Sequence, residues 1–386
     1  MAPTPKKLRI LFNTNALWSP SGYGQQAAEI LPNIRDEGYT LAGIDFYGLE
    51  GGKIIVDGIL HYPKMQHVYG SDAMVHHGKE FGADVVMSLQ DIWVLNPQDL
   101  QQVKRWIPIV PIDHDPAPKA ILEKLKHAYR IVTYSQFGQK ELERHGFNST
   151  YIQHTVDTNI FKPMDKKALR KQFGLPDDAF IWGMVAANKD NPPRKSFQEV
   201  MDAFVVWLKK YPKSLLYLHT FPDFPGGFPI KDYAQMIGIT DKIILPNPYE
   251  MAYNIQKPDM AMVYNCMDVL LLPSVSEGFG VPAIEAQACG IPVVVNNFTS
   301  MPELVQNHIT GEVCDVLYRR FSPLGSYVGI PSAKSIYDCV KRIKDSDREL
   351  MGKAAREFMV KEYDTKTVFD AKWKPFLLQL EQEIYP

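Results

Sequence analysis

One stretch limits the folds open to this chain more than any other. Residues 270–305 read LLLPSVSEGFGVPAIEAQACGIPVVVNNFTSMPELV, a strand, a loop, a helix and a second strand in succession. Residues 270–272 close an apolar run that begins near Met267, and Pro273 stops it. The loop at 274–280 carries two glycines. Residues 281–289 are rich in helix formers, with Pro282 in the first turn, where proline is tolerated. Gly290 ends the helix, and 291–295 is a buried strand. The helix therefore starts at a glycine-bearing loop. Backbone N–H groups of Gly278, Phe279 and Gly280 are placed to meet an anion, and the helix dipole favours negative charge there.

Two carboxylates bracket this loop. Glu277 stands just before the glycines, and Glu285 follows eight residues later inside the helix. A carboxylate accepts two hydroxyl hydrogen bonds, so it suits a sugar or ribose diol. An anion-friendly helix start between two such groups suits a ligand that carries both phosphate and sugar. Taken alone, the pair reads first as a loop charge and a solvated helix residue.

The rest of the chain repeats the alternation. Runs with β character at 8–12, 39–46, 84–88, 107–112, 130–134 and 151–152 alternate with helical patterns at 25–37, 71–81, 97–105, 118–128 and 136–144. Further strands fit 180–186, 214–220 and 243–245, with helices at 166–173 and 196–209. Residues 319–330 read as an insertion or exposed loop, and 366–383 has helical apolar spacing. Strands alternating with helices define an α/β chain with parallel sheets, and 386 residues suffice for about two domains. A net charge of −2 gives no global basic excess for nucleic acid. No apolar run approaches the roughly 18–20 residues that span a bilayer. The opening MAPTPKKLRILF has no long apolar core, so no signal peptide is expected. Cys266, Cys289, Cys314 and Cys339 form no C-x-x-C pair and read as free thiols of a reducing cytoplasm.

Four other segments are candidates for chemistry. Gly22-Tyr23-Gly24 opens a G-x-G-x-x-A pattern, with Asp45 near the offset of a ribose-binding acid, which is literally a dinucleotide fingerprint. Such a fingerprint needs its glycines tight against the strand end, and a nine-residue loop intervenes here. The strand at 107–112 runs into Asp113-His114-Asp115, at the position where open α/β sheets hold ligands. Asp113-x-Asp115 also has the form of a metal-binding D-x-D, while a His-Asp pair that caps the next helix explains the same residues. Asn188-Lys189-Asp-Asn-Pro-Pro-Arg194-Lys195 follows the strand at 180–186 as a basic loop, either solvated or turned on phosphate. Thr133-Tyr134-Ser135 precedes a helix, and Ser135 is a suitable N-cap.

The string S-x-SEGFGVPAIEA-x-A-x-GIPVV, followed by MPELV and HITGEV, resembles the donor-site motif of retaining GT-B glycosyltransferases, above all family 4, typified by sucrose synthase and bacterial mannosyltransferases. The E-x7-E of that family falls on Glu277 and Glu285. Residues 151–163, YIQHTVDTNIFKP, resemble its interdomain linker, with Thr155 where glycine is usual. The resemblance implies a GT-B fold: an N-terminal Rossmann-like domain at 1–163 on the acceptor side, a C-terminal one at 164–365 for the donor, and a helix at 366–386 returning to the first. It implies a nucleoside-diphosphate sugar, UDP- or GDP-linked, in the cleft, with no obligatory metal. Lys195 matches the family's phosphate-binding lysine. Lys189 stands near the place of its arginine, and Arg194 is a substitute. Gly22 and Gly24 become phosphate-side contacts, and Gly278, Phe279 and Gly280 meet the leaving group. Glu285 takes the ribose, Glu277 the sugar hydroxyls, and His114 lies beside the transferred sugar. The acceptor stays open: glycan, lipid-linked sugar, small molecule, or, as a lesser reading shared with phage enzymes that decorate DNA, a nucleic-acid base. Peripheral membrane contact is compatible with the pattern. The rivals are a catalytically silent sugar-nucleotide-binding GT-B protein and a GT-B epimerase.

Overall fold

In the computed structural model, residues 6–253 and 255–386 are described. Residues 1–5, the start of the segment read above for a leader, lie outside the described residues. The chain divides into two compact units. The first comprises Met1–Thr155, Leu324–Ser326 and Thr365–Pro386, and the second Val156–Pro323 and Tyr327–Asp364.

Among the described residues of the first unit, eight strands form one sheet: β1 (Arg9–Asn15), β2 (Thr40–Tyr47), β3 (Ile54–Val56), β4 (Ile59–Pro63), β5 (Val85–Leu89), β6 (Trp106–Val110), β7 (Val132–Thr133) and β8 (Thr150–Tyr151). Their order is β3-β4-β2-β1-β5-β6-β7-β8, parallel except for the β3–β4 pair. The helices are α1 (Gly22–Asp36), α2 (Ser71–Phe81), α3 (Pro97–Leu100), α4 (Lys119–Leu125) and α5 (Gln136–Arg144). The short hairpin β3–β4 has no counterpart among the expected strands, and the helix expected over 97–105 stops at Leu100. The loop before α1 is also shorter than its pattern suggests. β1 runs on to Asn15, and only 16–21 separate it from α1, because Ser21 caps the helix by accepting from Gly24 N at 3.1 Å. Gly22 is thus the first helical residue rather than a loop residue, and Gly24 lies in the first turn.

The second unit carries a parallel sheet of β9 (Ile181–Val185), β10 (Leu215–His219), β11 (Ile243–Ile244), β12 (Val269–Leu272), β13 (Val293–Asn296) and β14 (Gly311–Cys314), in the order β11-β10-β9-β12-β13-β14. A two-stranded antiparallel ribbon, β15 (Val316–Phe321) and β16 (Tyr327–Pro331), replaces the exposed loop expected at 319–330. The helices are α6 (Lys166–Gln172), α7 (Phe197–Leu208), α8 (Ile230–Met236), α9 (Pro248–Tyr253), α10 (Lys257–Asn265), α11 (Val281–Ala288), α12 (Ala333–Asp345) and α13 (Arg348–Glu362). β9 and α7 supply the centre of its core, where Trp182, Phe204 and Trp207 are buried against one another. The chain then continues through α14 (Thr365–Val368), a π-helical turn (Phe369–Trp373) and α15 (Lys374–Ile384). These residues group with the first unit, where Lys374 pairs with Glu37 at 2.7 Å and Tyr385 donates to Asp84 at 2.7 Å.

Each sheet has a point where strand order reverses, between β1 and β5 in the first unit and between β9 and β12 in the second. Doubly wound sheets bind ligands at the carboxyl ends of the strands that flank such a point. The loops after β9 and β12 contain the basic segment and the Glu277 loop. All four cysteines are buried and unpaired. Among the described residues, no helix is long and apolar enough to cross a membrane.

Candidate functional site

In the second unit, the loop after β12 is held in shape by its neighbours. Val275 N donates to Arg194 O at 2.8 Å, and Asn296 Nδ2 donates to Ser274 O at 3.0 Å. Two hydroxyls pull the next carbonyls inward: Ser300 Oγ donates to Glu277 O at 2.8 Å, and Thr299 Oγ1 does the same at 3.0 Å. Thr299 has φ +50°, a left-handed conformation that a β-branched residue rarely adopts. Such local strain persists where the surroundings over-determine it, often at functional sites. With the carbonyls turned inward, no described residue accepts from the amides of Gly278 and Gly280. Gly280 precedes α11 at φ +123°, and a Cβ there would come within 3.0 Å of both Leu272 and Leu304, so only glycine fits. Phe279 is buried between these glycines.

Glu277 is 9% exposed, and both of its oxygens meet cations from the β9 loop. Lys195 Nζ pairs with Oε1, and Arg194 Nη1 lies 3.1 Å from Oε2 while also donating to Ser276 O at 2.9 Å. Asp190 lies 3.4 Å from Arg194 Nε. Burial by itself would raise the Glu277 carboxyl, but the charges of Lys195 and Arg194 outweigh it and hold the group down at about 2. Burial pulls the Lys195 ammonium below the ordinary lysine range, Arg194 adds to that, and Glu277 opposes both. The expected division of labour, cations for phosphate and Glu277 for sugar, thus becomes one cluster. Two cations face two carboxylates, Glu277 and Asp190, so the paired cluster beside the α11 N-terminus carries no net charge. Lys189 is exposed and makes no ion pair with a described residue. A concavity of about 130 Å³ lined by Asn188, Lys189, Asp190, Arg194 and Lys195 opens here. It is far smaller than the roughly 300–1,000 Å³ of small-molecule pockets and encloses no room for a water. Asn188 clips the aromatic, proline-rich loop at 221–230 onto the end of β9. Its Nδ2 donates to Phe228 O at 2.8 Å and its Oδ1 accepts from Phe228 N at 2.7 Å.

Glu285 is not a solvated helix residue. It is 8% exposed, and its Oε2 accepts from the hydroxyl of the fully buried Tyr264 at 2.6 Å. Sequence reasoning missed Tyr264, whose only signal is an aromatic at a helix-core spacing.

In the first unit, the expected residues gather at the ends of β1, β6 and β7. His114 is buried, and its Nδ1 lies 2.7 Å from Asp113 Oδ1. A carboxylate can only accept, so His114 Nδ1 carries the proton in this contact. Tyr23, between Gly22 and Gly24, is tied to the same place. Burial, then the charges of Asp91, Tyr134 and Asp113, push its phenol well above the ordinary range. Ser135 caps α5 by accepting from Gly138 N at 3.0 Å. Gly22 is exposed with open space where a side chain would be, whereas a Cβ on Gly24 would collide with Ser19 and Ala16. Packing alone therefore accounts for Gly24. The ribose acid of the dinucleotide reading, Asp45, is buried against His61 Nδ1 at 2.7 Å, with both side chains essentially inaccessible. Among the described residues, Asp113 and Asp115 join no group of three metal-ligating side chains; the one such group is His76, His77 and Glu80 on α2. Of the basic residues at 119–130, Lys126 is neutralised by Glu123 and Arg130 by Glu383. Thr155 does not need glycine's freedom, since it lacks a positive φ and its backbone is clipped at both ends by the Gln26 amide, at 2.8 Å each.

Solved structures share this fold along nearly the whole chain. Sucrose-phosphate synthase from Thermosynechococcus elongatus matches with a TM-score of 0.75 at 16% identity, covering 98% of each chain. Anabaena HepE, solved in complex with UDP-glucose, matches with a TM-score of 0.69 at 15% identity, covering 96% of this chain and 99% of that one. The class that the fold defines is GT-B, with two Rossmann-like α/β units. More narrowly, residues 229–317, which include Glu277 and Glu285, match the family model described as Glycosyl transferases group 1. A D-inositol 3-phosphate glycosyltransferase from Mycobacteroides abscessus is 32% identical over 159 residues, 40% of this chain and 33% of that protein. The chain matches over about a third of the length of the curated relatives.

Proposed function

We propose that the chain is a retaining glycosyltransferase of family 4 type, which moves a sugar from a nucleoside-diphosphate sugar to a hydroxyl-bearing acceptor. One observation carries this reading. Lys195, Arg194 and Glu277 meet at the carboxyl ends of β9 and β12, beside the Gly278 and Gly280 amides at the start of α11. In the reaction, the bond from the anomeric carbon to the diphosphate oxygen breaks, a new one forms to the acceptor oxygen, and the acceptor's hydroxyl proton passes to the departing diphosphate. The diphosphate departs with the electron pair, and the barrier falls where fixed positive groups meet that charge. Lys195, Arg194 and the loop amides supply it, with Lys189 as a further phosphate contact. Glu277 keeps lone pairs for sugar hydroxyls because a carboxylate offers about four acceptor sites. Glu285 takes the ribose diol. UDP is the first nucleotide to test, since HepE was solved with UDP-glucose. The family match at 229–317 includes the Glu277 loop, which supports this reading. The inositol 3-phosphate of those relatives is one acceptor to try among glycans, lipid-linked sugars and small metabolites.

A thermal-shift screen against UDP-, GDP-, ADP- and dTDP-sugars, with NAD included, tests the reading. A ligand of the folded state at a hundredfold its Kd adds about 2.7 kcal/mol, so one nucleotide sugar should raise the melting temperature by several degrees. A shift with NAD alone would sink the proposal in favour of the Gly22 fingerprint. With the donor known, His114→Ala should lower kcat on the order of a hundredfold, as loss of a positioned group does, while donor Kd stays within about threefold. An unchanged kcat removes His114 from the chemistry.

A further inference from the structure

We infer that Tyr264 is a positioning residue for the nucleotide ribose: its hydroxyl fixes the Glu285 carboxylate in the orientation that accepts a vicinal diol. The inference rests on the reading of Glu285 as the ribose ligand. Tyr264 lies on α10 and Glu285 on α11, and the O–H···O contact between them is 2.6 Å, the short end of the range for a charge-assisted bond. The tyrosine is wholly inaccessible. A phenylalanine would fill the same space, and a polar atom taken out of water costs free energy unless it is bonded. The carboxylate meets that cost, so the hydroxyl is there for Glu285.

The frame around the pair is stiff. Phe161 packs edge-on to the Tyr264 ring at 6.1 Å. The neighbouring Asn265 donates to Lys162 O at 3.0 Å and accepts from Met164 N at 2.8 Å, which ties the end of α10 to the segment that enters the second unit. Cys289 Sγ, just past α11, faces Ala261 O on α10 at 3.9 Å. Two helices are thus pinned together around one hydrogen bond. A carboxylate gripped at Oε2 from inside the protein can no longer rotate about its terminal torsion, which is otherwise broad. Its remaining lone pairs then face a fixed direction. Burial and the charge of Glu285 keep the phenol protonated well above the ordinary tyrosine range, so it stays a donor at any assay pH.

The test compares binding of UDP, or whichever nucleoside diphosphate the thermal screen selects, with its 2′,3′-dideoxy counterpart, by calorimetry. The wild-type chain should prefer the ribonucleotide by at least about tenfold, the worth of hydrogen bonds to a charged group. Tyr264→Phe should lose about tenfold for the ribonucleotide and keep its dideoxy affinity within about twofold. In a Glu285→Gln background, adding Tyr264→Phe should change the ribose preference no further. Equal losses for both ligands, or no loss, would make Tyr264 a packing residue and overturn the inference. A wild-type chain that binds both nucleotides equally would instead overturn the ribose role of Glu285.

Discussion

If the proposed reading holds, Lys195→Ala should lower turnover by about 10²–10³-fold, the loss expected when one fixed group that stabilises developing negative charge is removed. That corresponds to about 3–4 kcal/mol of barrier. The reason lies in where the ammonium sits. It is largely buried beside Glu277, in a pocket where water screens it little, and burial lowers its pKa rather than leaving it an ordinary surface cation. A charge in that setting acts on a leaving diphosphate more strongly than one in water. Lys195→Arg should rescue only part of the loss, because a planar fork does not reproduce a point charge at one oxygen. The measurement is kcat and KM for transfer from the donor found by the thermal screen. If kcat stays within about threefold and only KM rises, Lys195 holds ground state and transition state alike, and its catalytic role is lost.

Glu277→Gln has a second signature, in acid. The wild-type carboxyl titrates at about 2 in the folded chain against an ordinary 4.5. Its folded pKa is depressed, so the unfolded state binds the proton first as pH falls. The stability it contributes is complete above about 4.5 and is lost on the way down to about 2. Over that window the difference between wild type and variant should shrink by about 1.4 kcal/mol per pH unit, the slope for one proton. At neutral pH the variant should be less stable on the order of 3 kcal/mol, because Lys195 remains half-buried without its counter-charge and Arg194 keeps only Asp190. Urea unfolding at pH 7, 4.5 and 3.5 gives the comparison, and other carboxylates cancel in the difference. Parallel pH profiles for the two proteins would mean that Glu277 is not the group the two cations hold down. Turnover of the variant should fall as well, since an amide cannot accept at both ends.

The Glu277 loop was readable in advance because its signals are local. Pro273 stops a strand, two glycines mark a turn, and Pro282 with alanines marks a helix start. What the cations do was not readable. Nothing in the spacing of Arg194 and Lys195 says that both lie on Glu277, some eighty residues away in sequence. The bond from Tyr264 to Glu285 is hidden for the same reason: it joins two helices whose packing depends on the whole sheet. Other misreadings have their own causes. Ser21 draws Gly22 and Gly24 into α1 because a cap outweighs the loop preference of glycine at a helix start. The ribbon of β15 and β16 reads as a loop because Tyr318, Phe321 and Tyr327 are exposed, so it lacks the apolar alternation of a half-buried strand. The hairpin of β3 and β4 is too short to stand out, and its register is supplied by β2.

The ownership of residues 365–386 has a consequence for how the molecule is made. Phe369, Trp373, Phe376, Leu377 and Leu380 are buried and count among the first unit, although they are encoded after the whole of the second. On the ribosome, the first unit therefore begins to emerge before the second but is complete only once α15 has been synthesised. Domains ordinarily mature in the order of synthesis. Here the second unit ends at Asp364, before α14 and α15 are made, so the first unit is the later of the two to be completed.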